Sequence, residues 1–232
     1  MPGIDATLWS KGTVHISLLG TVHVENGLAN VSALKAILHH LRPEVIYAEI
    51  STGMLTDYLD GSHGNLESVA VTQYRASHSV AVVPVDLDKP GEDFFQKSME
   101  MFNKVERTSS IYRRLLDQHH LDTKNHGFAY LNSERCDQMW TEIYKETFEA
   151  LKWIGDARLR EIYAHWKKVN DDRETAMLEK IISHSIENTP IRSVLLVGAA
   201  HKKELADKIK KSQKSEASAI HWNFQYEKSD AC

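Results

Sequence analysis

The sequence predicts an α/β fold: a mostly parallel sheet with flanking helices and a large helical insertion. Three observations predict it. Short apolar runs rich in β-branched residues recur, as in buried parallel strands; a helical stripe lies between the first two; and roughly a hundred residues show helical periodicity without a convincing strand. The chain reads as one α/β domain over residues 1–232, with the insertion at 90–190.

The strand-length runs are residues 14–19, 45–50, 80–85 and 194–197. A fifth, 219–224, alternates Ile220, Trp222 and Phe224 against Ala219, His221 and Asn223, the pattern of a half-exposed edge strand. Between the first two runs, Val31, Leu34, Ile37, Leu38 and Leu41 form a helical stripe that stops at Arg42-Pro43, because proline disfavours helix in the residue before it. Strand, helix and strand in this order predict a βαβ unit with a parallel strand pair. In the third run Pro84 lacks a backbone donor, so its end belongs at a sheet edge or outside the ladder. The insertion carries stripes at Met99, Phe102 and Val105, and at Leu159, Ile162, Trp166 and Val169, with breaks near 122–127 and at Gly155. Six lysines within 202–214 predict a solvated helix face.

Composition narrows the function. The chain has 232 residues and a net charge of −4, from 28 basic and 32 acidic residues, which argues against a dedicated nucleic-acid binder. With 42% hydrophobic and 26% charged residues it belongs among folded globular proteins. Only Cys136 and Cys232 are present, too few for a disulfide framework or a cysteine-based zinc site. The longest uncharged stretch, 12–24, contains His15 and His23 and is too short to span a bilayer. The expectation is a cytoplasmic protein with no membrane or nucleic-acid partner, acting on a peptide or small molecule, with room for a homodimer.

Two segments echo each other. Ile16-Ser-Leu-Leu-Gly-Thr-Val-His23 and Val194-Leu-Leu-Val-Gly-Ala-Ala-His201 both run an apolar strand into G-x-x-H. With 11 glycines and 13 histidines, about 0.6 such matches arise by chance, so position carries the signal. Ligands in open α/β sheets bind outside the strand carboxyl ends, where Gly20 and Gly198 shape the loops holding His23 and His201. Gly12-Thr-Val-His15 precedes its strand and is a decoy. Glu49 and Asp86 end the second and third strand runs on the same edge. Two imidazoles with one or two carboxylates suit a divalent metal such as Mn, Fe, Co or Zn. Without metal, Glu49 would act as general base and a histidine as acid.

Gly20-Thr-Val-His23, Pro43-Glu-Val-Ile-Tyr-Ala-Glu49 and Val197-Gly-Ala-Ala-His201 resemble the paired GxxH motifs and intervening glutamate of the TraB/PrgY family, which includes Tiki and GumN proteins and is related to the ChaN and erythromycin-esterase-like superfamily. Asn170-Asp-Asp-Arg-Glu-Thr-Ala-Met177 resembles its acidic-Arg-x-x-x-Met helix, which supplies a functional arginine, here Arg173. The resemblance implies an α/β fold and, for Tiki-like members, a divalent-metal-dependent peptidase using both GxxH histidines and the glutamate. The leading expectation is therefore a metal-dependent hydrolase with His23, His201, Glu49 and Asp86 as metal ligands and Glu49 and Arg173 in catalysis. The alternative is a non-catalytic binding or regulatory protein for peptide or haem on the same fold; an interaction scaffold built on the insertion leaves the strand-end cluster unexplained. Trp140, Trp153 and Trp166 read as core or groove packing, and His39-His40, His119-His120 and His126 as histidines without a ligand role.

Overall fold

A computed structural model describes residues 13–213 and 220–224. Its centre is a five-stranded, all-parallel sheet in the order β3-β2-β4-β1-β5, built from β1 (Val14–Thr21), β2 (Val45–Ala48), β3 (Ala81–Pro84), β4 (Arg192–Gly198) and β5 (Ile220–Asn223). Helix α1 (Val31–Leu41) follows β1. A 3-10 turn (Thr52–Met54), α2 (Leu55–Asp60) and α3 (Leu66–Arg75) lie between β2 and β3. The insertion after β3 comprises α4 (Glu92–Thr108), α5 (Ser110–Leu131), α6 (Glu134–Ile154) and α7 (Ala157–Asn188), and α8 (Ala199–Gln213) follows β4. Among the described residues no helix is long and apolar enough to cross a membrane.

Alternation along the strands sorts the core into two layers, as the two-residue period of a strand requires. Leu19, Ile46, Ala48, Val194 and Leu196 face α1 and α3, together with Phe128 and Leu131 of α5. Ile16, Leu18, Val45, Tyr47, Leu195 and Val197 face Met177, Leu178 and Ile181 of α7 and Leu205 and Ile209 of α8. The insertion has a core of its own, with Met101, Val105, Tyr112, Ile143, Leu151, Leu159 and Tyr163. Helix α7 has 32 residues, about 48 Å of rise, so its first turns pack in the insertion and its last turns on the sheet.

Three sequence expectations change. Strands β1 and β2 are parallel but not paired, because β4 lies between them. The βαβ pattern specifies direction, whereas a strand 150 residues later that is apolar on both faces takes the central position. The lysine-rich face is not wholly solvated: Lys202 is buried and bonds Asp137 at 3.0 Å, because α8 packs on α6 there. Trp153 is 85% exposed at the end of α6, two residues beyond Leu151, the last buried residue of that helix. The breaks fall where expected, with a kink at Gly127 and a left-handed cap at Gly155. Strand β3 is an edge, as Pro84 requires, and β5 is the other; Ala219 lies outside the described residues.

Candidate functional site

One register row explains how distant segments meet. Pro84 is level with Ala48, Ala48 with Leu196, and Leu196 with Leu19, so four strands release their chains at one sheet edge. The residues at this edge are Asp86, Glu49, Gly198 and the end of β1 running into His23; Gly20 and Gly198, expected in loops, are paired strand residues, and His201 lies in the first turn of α8 rather than in a loop. His15 lies at the other end of β1, beside His221 with ring centroids 5.2 Å apart.

Arg173 joins the carboxylates. Its Nη2 donates to Glu49 Oε1 at 2.8 Å and to Asp86 Oδ2 at 2.7 Å, its Nε donates to Asp86 at 3.1 Å, and its Nη1 donates to Asn170 Oδ1 at 3.1 Å. Burial works against the guanidinium charge, but Asp86 and Glu49 outweigh it and hold its pKa above the ordinary value. Glu49 also accepts the Gly198 N–H at 2.6 Å, at the start of α8, where a helix terminus favours an anion.

Each motif histidine rests on a carboxylate that sequence reading missed. His201 Nδ1 lies 2.9 Å from Glu174 Oε1, and its Nε2 is 3.7 Å from Glu49 Oε1. His23 Nδ1 lies 3.2 Å from Glu67 Oε2, while Thr21 donates to Glu67 Oε1 at 2.6 Å. Glu67 sits in the first turn of α3, capped by Asn65, and the Leu66 N–H donates to the His23 carbonyl at 2.8 Å, fastening the loop to the helix. The one available signal was Glu174's place beside Arg173: successive helical residues point about 100° apart, so one turn of α7 serves both Glu49 and His201. Nothing local marks Glu67.

The Glu67 hydrogen bond raises the His23 pKa to about 9 against an opposing burial effect, with the charges of Glu67 and Glu49 adding to the rise. The folded value exceeds the ordinary 6.5, so this interaction stabilises the fold fully below pH 6.5 and the contribution is lost as pH rises through about 9. The side chain is 60% exposed, so the effect on stability is small and the titration itself is the observable. In chelator-treated protein the His23 ring resonances are expected to titrate near 9, and Glu67→Gln to return them toward 6.5. An unchanged midpoint in Glu67→Gln would refute the pairing.

The site opens into a cleft of about 590 Å³. Each helix of the insertion contributes to its wall: Phe94 and Phe95 from α4, His119 from α5, Trp140 from α6 and Arg173 from α7. His119, read from sequence as having no ligand role, is a cleft residue. Its Nδ1 meets the Tyr130 hydroxyl at 2.9 Å, and burial lowers its pKa, favouring the neutral ring. The insertion is anchored to the first GxxH segment by Asn132, whose Oδ1 accepts the Gly20 N–H at 2.7 Å and whose Nδ2 donates to the Gly20 carbonyl at 3.0 Å. A Cβ at Gly20 would meet the Leu131 carbonyl at 3.1 Å, so this approach favours glycine.

Thus His23, His201, Glu49, Asp86 and Arg173 all border one cleft, with Gly198. Among the described residues no group of three or more His, Cys, Asp or Glu side chains is gathered to hold a metal ion. The two imidazoles suit one in donor chemistry, since a carboxylate on Nδ1 leaves Nε2 as the nitrogen for a metal. Both Asp86 oxygens accept from Arg173, and Glu49 is shared between Arg173 and Gly198. No protein-family model, curated protein or solved structure matches this chain, so the reading of the site rests on its own chemistry.

Proposed function

We propose that the cleft is the active site of a hydrolase that cleaves an amide or ester bond, a peptide bond foremost, with a divalent metal (Mn, Co, Fe or Zn) held by His23 and His201. The observation that carries this reading is the matched pair of carboxylate-held imidazoles, Glu67–His23 and Glu174–His201, at the ends of the adjacent parallel strands β1 and β4. When bound, such an ion supplies an acidified water and polarises the substrate carbonyl.

The remaining work falls to the chain. Glu49, held by Arg173 and the Gly198 N–H, would complete the ligand set or take the proton from water. Four of the five N–H groups of Arg173 are given to Asp86, Glu49 and Asn170, and the side chain borders the cleft, so the fifth can meet a developing oxyanion. Water adds across the scissile bond: the acyl carbon gains hydroxyl and the amine leaves with a proton. The order GxxH, Glu49, Arg173 helix, GxxH supports kinship with the TraB/PrgY family. The same proposal places the protein in the cytoplasm, consistent with a buried Cys136 whose thiol burial pushes up to about 12 and out of reach of ready oxidation.

A metal-free route is the second reading, favoured by Arg173, which already pairs with both Glu49 and Asp86. There a protonated His23 would act as acid. A peptide-library digest separates the two. Chelation is expected to abolish cleavage and Mn or Co to restore it. Cleavage that survives chelation but is lost in His23→Ala selects the metal-free route, and no cleavage under any metal overturns the hydrolase in favour of a binding protein.

A further inference from the structure

Building on the peptide-hydrolase reading, we propose that the substrate is an extended peptide whose distal residues occupy a second groove between α4 and α7, separated from the cleft by Phe94. This groove has a volume of about 370 Å³. Along α4 it is bordered by Phe94 and Ser98. Along α7 it is bordered by Arg158, Glu161, Ile162 and His165, at spacings of three, four and seven residues that place them on one face over about 10 Å. Phe94 lines both cavities and is half-buried, edge-on to His165 with centroids 5.7 Å apart. The two spaces are therefore neighbours sharing a single side-chain wall, and a chain crossing that wall passes from the catalytic cleft into the groove.

The groove's chemistry names the ligand. Ser98 Oγ is buried without a hydrogen-bond partner, an arrangement that costs free energy unless something supplies the bond. A peptide N–H or carbonyl can supply it. The cations at the rim are already paired, Lys97 with Asp93 at 2.7 Å and Arg158 with Glu100, so the groove has little call for a strongly anionic ligand. Half-buried Ile162 adds an apolar surface between these polar groups. One polar anchor, an apolar strip, paired cations and the Glu161 carboxylate suit an uncharged or cationic stretch of main chain with alternating side chains. Six extended residues reach about 20 Å, enough to cross from cleft to groove, whereas a dipeptide stays in the cleft.

The test uses the isotope-labelled 232-residue chain with chelator present, titrated with capped dipeptides and capped hexapeptides of mixed Ala, Leu, Phe and Ser. Hexapeptides are expected to shift amide resonances of Lys97, Ser98, Ile162 and His165 as well as those of the cleft, and to bind about tenfold more tightly than dipeptides, the worth of one added hydrogen bond with its apolar contact. Ile162→Trp, which fills the groove, should erase that tenfold gain. Shifts confined to the cleft with equal affinity for both lengths overturn the groove assignment, and so does the absence of shifts with any peptide. Hexapeptide shifts in the groove without cleavage under any metal leave the groove standing and overturn the hydrolase.

Discussion

Arg173→Leu is expected to cost about 3–5 kcal/mol of stability, the penalty for stripping a buried charge of its partner. Glu49 and Asp86 are only 7% and 9% exposed, and both lean on one guanidinium that is itself 21% exposed. Without it two buried carboxylates are left with only backbone N–H donors from Gly198 and Leu87. In a chain of this length the loss corresponds to a melting temperature lower by about 6–20 °C. The defect should shrink in acid, where one carboxyl can take a proton and donate to the other. Arg173→Lys separates stability from activity, since it restores charge but not the fork that spans both carboxylates. Its expected result is a partly recovered melting temperature with turnover still reduced. Equal melting temperatures for wild type and Arg173→Leu, measured by calorimetry at neutral pH, would show that the guanidinium does not bind the sheet edge together.

Gly127→Ala is the second large effect. Gly127 has φ of 55° and ψ of −138°, at the kink in α5, and a Cβ there would sit 2.6 Å from the Leu28 carbonyl. Across the same contact Gly27, at φ of 58°, presses on the Lys124 backbone, and the Leu28 N–H donates to the Lys124 carbonyl at 2.9 Å. Backbone strain of roughly 1–3 kcal/mol and overpacking of roughly 1–3 kcal/mol together predict a loss of about 2–6 kcal/mol. Hydrogen exchange should localise the damage to residues 22–29, the segment that carries His23. Gly53→Ala is the control, since Gly53 has open space around its Cβ position. Similar stabilities for the two variants would contradict the close approach.

Several parts of this molecule could be read from local pattern because their causes are local. An apolar strand run, a glycine near its end and a histidine three residues on are all written within eight positions, as in Ile16–His23 and its echo ending at His201. The helical periodicity that carries Arg173 is equally local. Strand direction then places Glu49 and Asp86 at the carboxyl edge without further information, because parallel strands share one.

Tertiary structure alone decided which of these groups touch. Glu67 and Glu174 became the histidines' partners through contacts spanning 44 and 27 residues, and Asn132 grips Gly20 across 112. A carboxylate in a helix's first turn looks the same in sequence whether it faces water or an imidazole. The position of β4 between β1 and β2 likewise depends on which apolar faces pack best, a sum over the whole core. Sequence by itself determined the strand directions, the two strand-to-histidine segments and the helix bearing Arg173, since each follows from a few neighbouring residues. The fold decided the strand order, the carboxylate behind each imidazole and the aromatic wall that the insertion turns toward the cleft, since each is a contact between segments whose separation in sequence carries no record of their meeting.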